Sequence, residues 1–243
     1  MPHSSKETVA LAWCDGGMVD GRFMDGLLLA TMNAPKIGIN IVNKIRVNGN
    51  QIGRQRQVLF DNWADVTKTD WLLWIDSDIV VTPDSLKLIW DSADKVSRPV
   101  VSGTYFVSKE NERSLMQPFP ALFKEGSNKN ELQIVHPLPK NELIKIDSAG
   151  FGFLLMHKSI VSKLREVSPN YSLFAEEEGL GDKYISEDIV FFRKLKSAGI
   201  DLYAHTGALV QHMKRFSFDI NYYNLYWNGL QKELFTKWLN LKY

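Results

Sequence analysis

Residues 71–81 read WLLWIDSDIVV: five apolar residues, two acids one residue apart, then apolar residues again. An uninterrupted apolar run of this length is a buried strand, and a buried strand can present charge only where it leaves the sheet. Asp76 and Asp78 stand at that exit. Alternation puts residues i and i+2 of an extended chain on one face, so the two carboxylates are predicted to point at one ligand. Converging carboxylates suit a hard divalent cation. Mg²⁺ or Mn²⁺ would take one or two of these oxygens and complete its shell with water and phosphate oxygens. A plainer reading is a strand followed by an acidic turn, with Thr82-Pro83-Asp84 opening a helix through an N-cap and a first-turn proline. That helix start is expected in either case, but ending a strand requires one turn residue and not two acids.

A chain of 243 residues, 44% apolar, is enough for one sizeable domain with an ample core and a small appendage. The net charge of +1, with Lys and Arg spread along the chain, gives no basic stripe for a nucleic-acid groove. Cys14 is the single cysteine, which excludes an internal disulfide and points to a cytoplasmic protein. Neither a basic-apolar leader pattern nor a run of about 18 apolar residues is present, so no transmembrane span is expected.

Strand and helix signals alternate along the chain. A first strand is predicted over residues 8–13, a helix over 21–32 broken by Ala34-Pro35, a second strand over 37–42, and a helix over 52–63 carrying Arg54 and Arg56 near its start. The acidic strand comes next, then a helix over 83–90 and a fourth strand over 99–106. This order predicts an α/β fold with a mainly parallel central sheet flanked by helices, whose ligands sit at the carboxyl ends of the strands. Asp15 and Asp76 both fall at such ends.

Residues 108–141 are polar, carry Pro118, Pro120, Pro137 and Pro139, and read as an insertion or hairpin off the sheet, the natural place for an acceptor-specific element. Ala149-Gly150-Phe151-Gly152 lies in a strand expected over 144–156, where small residues serve a bulge or the close approach of a ligand. A helix over 159–167 and an acidic loop over 171–183 follow. Ser186-Glu187-Asp188 then caps a helix that closes at Gly199. Further strand is expected at 201–203 and 208–210, with His212 directly after. Residues 216–243 are expected to form an aromatic amphipathic C-terminal helix packed on the domain, with a homo-oligomer contact or membrane-surface docking as the other uses of its apolar face.

Three features thus stand in order: a carboxylate pair after a central strand, Glu187-Asp188 opening a later helix, and His212 beyond a late strand. With Arg54 or Arg56 before the acidic strand and the Ala149–Gly152 stretch after it, the set resembles the family-2-like glycosyltransferases of the GT-A fold over residues 8–215. The resemblance implies a single GT-A-like domain over residues 1–215. It also implies metal-dependent transfer of a sugar from a UDP- or GDP-sugar donor to a carbohydrate or other hydroxyl acceptor. Asp78 would hold the cation, with His212 as a second protein ligand, and the cation would stabilise the diphosphate leaving group as a Lewis acid. Asp76 would reach the donor ribose or a metal-bound water. Arg54, preferred to Arg56 on its order relative to the acidic strand, and Asp15 would bind the nucleotide, and Lys214 with Arg215 would fold over the diphosphate as a lid. Asp188 would be the general base, with Glu187 orienting it or binding acceptor. Helix starts favour carboxylates, so both acids also fit plain first-turn helix acids.

Relatives of this kind carry an acidic residue after the second strand to read the base, and here the stretch is Asn43-Lys44-Ile45-Arg46. The resemblance therefore names neither nucleobase nor donor sugar, and inverting and retaining enzymes share it. A haloacid-dehalogenase-like phosphatase is the alternative, with Asp76 as nucleophile and Asp78 and Val80 in its Asp-x-Asp-x-Thr/Val pattern. Its second acidic motif should end a buried apolar strand, yet Glu176-Glu177-Glu178-Gly179-Leu180 precedes Gly181-Asp182. A P-loop NTPase is excluded, because no Gly-x-x-x-x-Gly-Lys-Ser/Thr loop exists. A non-catalytic nucleotide or carbohydrate binder would keep the same site without turnover.

Overall fold

The computed structural model describes residues 7–109, 117–127, 131–168, 170, 172–178, 184–214 and 220. Seven strands build the central sheet: β1 (Thr8–Asp15), β2 (Asn40–Asn48), β3 (Trp71–Ile75), β4 (Val100–Thr104), β5 (Leu143–Ile146), β6 (Phe153–His157) and β7 (Leu202–Leu209). Their spatial order is β5-β7-β4-β6-β3-β1-β2. All run in one direction except β6, which is inserted antiparallel between β3 and β4, and β5, antiparallel on the edge beside β7. Five helices pack around the sheet: α1 (Gly21–Asn33), α2 (Ile52–Asp61), α3 (Pro83–Ser92), α4 (Ile160–Val167) and α5 (Glu187–Ser197).

The pairing explains the apolar run that dominates the sequence. β3 lies between β1 and β6, and its side chains alternate between two cores. Leu72 and Trp74 join Leu59, Phe60 and Trp63 from α2 and just beyond it, Leu164 from α4 and Phe191 from α5. Trp71, Leu73 and Ile75 join Phe23 and Leu27 of α1 and Leu86 and Ile89 of α3. A strand with helices on both faces needs an apolar residue at every position.

Helix ends follow local chemistry. Thr82 caps α3, its hydroxyl accepting from Ser85 N at 3.1 Å behind Pro83, as expected. Ser186 occupies the N-cap position of α5, but its hydroxyl donates to Asp188 instead of accepting from the helix. The other end of α5 closes on Gly199, left-handed at φ 67°, with Ile200 N donating to Leu195 O at 3.1 Å.

Several elements differ from the sequence reading because pairing overrides local pattern. The second strand begins later and runs further, since Ala34–Ile37 form a 3₁₀ turn around Pro35 and parallel pairing with β1 carries the strand to Asn48. Asn43, Lys44, Ile45 and Arg46 therefore lie inside β2. α2 stops at Asp61, followed by a single π turn over Asn62–Val66. The glycine-bearing strand divides into β5, the short strand Ser148–Ala149 and β6. Ser148–Ala149 pairs with Leu122–Glu125, which pairs with Leu132–Ile134, so part of the expected insertion is a three-stranded sheet. The two late strands are one, β7, with its register to β4 shifting between Ala204 and Leu209.

The chain divides into a unit of Met1–Val107 with Pro118–Met213 and a unit of Ser108–Gln117 with Lys214–Tyr243. Every labelled element belongs to the first. Arg215 and, apart from Ile220, the expected helix over 216–243 lie outside the described residues, as does any oligomer contact through that helix. Among the described residues no helix is long and apolar enough to cross a membrane. Cys14 is buried in β1, and burial, reinforced by Asp76, pushes its thiol up to about 12, which leaves it protonated and inert.

Candidate active site

The strand β3 ends because the chain turns. Asp76 O accepts from Ile79 N at 2.9 Å, so residues 76–78 form a turn and the alternation of an extended chain no longer applies to them. The two carboxylates consequently take different partners, against the sequence-based expectation. Asp76 Oδ1 accepts from Trp74 Nε1 at 2.8 Å and Oδ2 from Arg56 Nη2 at 3.0 Å. Asp78 Oδ2 instead meets His212 Nε2 at 3.0 Å. The histidine reaches it because Gln211–His212 pairs antiparallel with Ile79–Val80, a register closed by Met213 N donating to Asp78 O at 2.7 Å.

Both ring nitrogens of His212 face oxygens, Nε2 the Asp78 carboxylate and Nδ1 the Phe106 carbonyl at 2.9 Å. A carbonyl only accepts, so Nδ1 carries a proton. Nε2 then faces the carboxylate either with a second proton or with its lone pair, and a cation held by both groups suits the second arrangement. A carboxylate and an imidazole whose far nitrogen is anchored to a carbonyl form a donor pair that fits Mn²⁺ or Mg²⁺. No cluster of three His, Cys, Asp or Glu side chains suited to a metal occurs among the described residues. Arg56 and Trp74 each donate to one oxygen of the Asp76 carboxylate. Among the described residues a cation bound here would have Asp78 and His212 as protein ligands, and it could share its remaining coordination with phosphate.

Arg56 is the residue that joins the rest of the site. It lies on the buried stripe of α2 with Leu59, Phe60 and Trp63, and only 5% of it is exposed. Nη1 donates to Glu187 Oε1 at 2.7 Å, Nη2 to Asp76, and the guanidinium stands 4.9 Å from the centre of the Phe151 ring. Burial opposes its charge, but Asp76, then Glu187 and Asp188, outweigh that and strengthen it. Burial also holds the Glu187 carboxyl above the ordinary carboxylate range despite the pull of Arg56, with Asp188 adding to the rise. Arg54, the sequence choice, is exposed and lines a shallow pocket of about 270 Å³ with Asn48, Gln51 and Val58. Two helix positions are roughly 200° apart, so the two arginines face opposite ways, and order along the chain could not choose between them. The available signal was periodic: Arg56 is a charge on the apolar stripe at i, i+3, i+4 and i+7.

Asp188, at the head of α5, is half-buried. One of its oxygens accepts from the Ser186 hydroxyl and from Ile189 N at 2.8 Å, and the other has no hydrogen-bond partner among the described residues. Asp76 and Asp188 both act electrostatically on Arg56 and on Tyr105, so the acids of β3 and α5 share one neighbourhood. Tyr105 was not anticipated. Its hydroxyl accepts from Gly152 N at 3.1 Å and its ring meets His212 edge-on at 5.1 Å between centres. A Cβ on Gly150 would lie 1.9 Å from the Tyr105 Oη, and one on Gly152 3.0 Å from its ring. The glycines therefore make room for this tyrosine, whose O–H is kept protonated by burial and then by Asp76.

Asp15 ends β1 but is fully engaged. It accepts from Trp13 Nε1 at 2.9 Å, Gly17 N at 2.7 Å, and Arg46 Nε and Nη2 at 2.6 and 2.8 Å, so it ties β1 to β2 and offers a nucleotide no free acceptor. The Arg46 hydrogen bond, against the opposing effect of burial, holds its carboxyl below the usual carboxylate range. A depressed folded-state pKa gives stability that is complete above the unfolded value, about 3.9, and is lost as pH falls through the folded value. Asp15→Asn is expected to cost about 1–2 kcal/mol in urea denaturation at pH 7, Arg46 being partly solvated, and the gap from wild type should shrink as pH falls below the unfolded value. Lys214 is exposed.

No protein-family model matches the sequence, and no curated protein does. Solved structures do match. GalNAc-T7, crystallised with UDP, GalNAc and Mn²⁺, aligns over 86% of this chain with 10% identity and a TM-score of 0.55, and the alignment spans 44% of the GalNAc-T7 chain. A197 from STIV aligns over 86% of each chain with 16% identity and a TM-score of 0.48. A glycosyltransferase involved in the glycosylation of the major capsid of PBCV-1 aligns over 86% of this chain and 96% of its own, with 13% identity and a TM-score of 0.45. The likeness to GalNAc-T7 is one of fold: this chain has the mixed α/β sheet architecture of the GT-A glycosyltransferases.

Proposed function

We propose that the chain is a metal-dependent glycosyltransferase that moves a sugar from a nucleotide-diphosphate donor to an acceptor hydroxyl. The observation that carries this reading is the meeting of the Asp78–His212 pair, the Asp76–Arg56–Glu187 cluster and Asp188 beyond the end of β3, where an α/β sheet of this kind binds its ligands. The neighbour of similar fold was crystallised with UDP, GalNAc and Mn²⁺, which favours a UDP-sugar donor and Mn²⁺ here. A cation held by Asp78 and His212 would supply neutralisation of the charge that develops on the leaving diphosphate. Asp76, with one hydrogen bond on each oxygen, keeps lone pairs for a donor ribose hydroxyl. Asp188 takes the acceptor's proton on its unengaged oxygen, and Glu187, tied to Arg56, fixes the start of α5 that carries it.

A phosphatase would need Asp76 as an attacking carboxylate, and the hydrogen bonds from Arg56 and Trp74 draw electron density from both of its oxygens and weaken them as nucleophiles. Calorimetric titration with UDP and GDP tests the proposal. Binding is expected with Mn²⁺, with at least a tenfold loss in chelator or in Asp78→Ala. Equal affinity with and without metal overturns it. Release of phosphate from an aryl phosphate, abolished by Asp76→Asn, would establish the phosphatase instead. Donor binding with neither transfer nor donor hydrolysis would leave a non-catalytic binder.

A further inference from the structure

A second concavity lies beside α5. The three-stranded sheet of Leu122–Glu125, Leu132–Ile134 and Ser148–Ala149 forms a wall of it, and the Ile189, Arg193, Lys196 stripe of α5 forms another. The pocket measures about 600 Å³, within the range of small-ligand sites. Lys196 bridges two of its acids, reaching Glu125 at 2.7 Å and Asp147 at 2.8 Å. Two polar groups on its walls lack partners among the described residues. The Arg193 guanidinium is half-buried with no hydrogen bond or ion pair, and the Ser148 hydroxyl, on a residue only 2% exposed, has no hydrogen bond.

The lining selects the ligand. Glu125, Glu131 and Asp147 disfavour an anion such as a nucleotide, Arg193 and Lys196 disfavour a cation, and with only Leu132 and Ile189 as large apolar walls an apolar molecule would desolvate charges for little return. A neutral polyhydroxyl ligand satisfies both kinds of group, giving hydroxyl protons to the carboxylates and accepting from the arginine, lysine and serine. The position is also informative: Ile189 follows Asp188 directly, and a helix rises about 1.5 Å per residue, so the pocket begins within a turn of the proposed base. We propose that this pocket is a saccharide subsite that holds the acceptor, with Arg193, Ser148 and the Glu125–Lys196–Asp147 bridge as its hydrogen-bonding groups. The acceptor assignment rests on Asp188 acting as the base, and the saccharide assignment does not.

Saturation-transfer NMR on the full chain, without nucleotide or metal, tests the subsite with maltose, cellobiose, lactose and N,N′-diacetylchitobiose. At least one is expected to bind, and Arg193→Ala and Ser148→Ala should each weaken it about tenfold. Ser148→Ala removes an unsatisfied buried hydroxyl, so its melting temperature should hold or rise while binding falls, which separates recognition from folding. No transfer from any of the four saccharides, or equal transfer in wild type and Arg193→Ala, overturns the subsite. Saccharide binding by a chain that transfers no sugar would keep the subsite and sink the transferase reading. Active transfer with an unchanged acceptor KM in Arg193→Ala would keep the transferase and overturn the acceptor role.

Discussion

Asp188→Asn is expected to lower turnover by about 10² or more while leaving donor affinity unchanged, the scale at which loss of a general base is felt. One Asp188 oxygen is clamped by the Ser186 hydroxyl and Ile189 N, which orients the carboxylate, and the other is unengaged among the described residues. Asparagine keeps the volume and can keep the clamp, but it cannot accept the proton of an attacking hydroxyl. Steady-state transfer measured beside calorimetric donor binding reads the two effects separately. Glu187→Gln should be milder in turnover, because Glu187 is tied to Arg56 and would act on the base only by fixing the start of α5. Undiminished turnover in Asp188→Asn would reduce both acids to first-turn residues of α5.

Arg56→Met is expected to destabilise the fold by about 3–5 kcal/mol, the usual result of removing one side of a buried charge cluster. The substitution preserves bulk against Phe151 but leaves Asp76 and Glu187 close together, with neither hydrogen bonded to a cation. Arg56→Lys should recover only part of the loss, since an ammonium is a point charge and cannot span two carboxylates as a planar guanidinium does. Burial already holds Glu187 above the ordinary carboxylate range, and without Arg56 it would rise further. A raised folded-state pKa on an acid means that the folded form binds the extra proton, so the penalty is full above the folded value and is relieved as pH falls. Urea denaturation of Arg56→Met at pH 7 and pH 5 should therefore show the gap from wild type shrinking at the lower pH. The triple variant Arg56→Met, Asp76→Asn, Glu187→Gln should regain most of the stability. A large, pH-independent loss that the triple variant does not repair would show that packing, and not charge, is what Arg56 supplies.

These two residues also mark how far the chain could be read in one dimension. The α/β order, the burial of β3 on both faces, the Thr82 cap and the Gly199 closure were legible because each depends on residues within a few positions of one another. The pairing of His212 with Asp78 was anticipated only through a family resemblance, and the structure brings them together across a separation of 134 residues. Asp76 and Asp78 were read by strand alternation, but a turn of four residues cancels that rule where it mattered. The Gly150 and Gly152 positions were visible as small residues, whereas Tyr105, the group they accommodate, could not be matched to them from spacing.

By itself the sequence determined the periodicities, and with them which segments are strands buried on both faces and which are helices lying over them. Only the tertiary structure decided that β6 runs backward through the middle of the sheet, that Arg56 and not Arg54 meets the β3 acid, and that Asp15 is spent on Arg46. The physical reason is one of range. Hydrophobic periodicity is set by neighbours along the chain, but the partner of a buried charge is whichever opposite charge the sheet order carries to within about 3 Å. For Arg56 those partners lie 20 and 131 residues away.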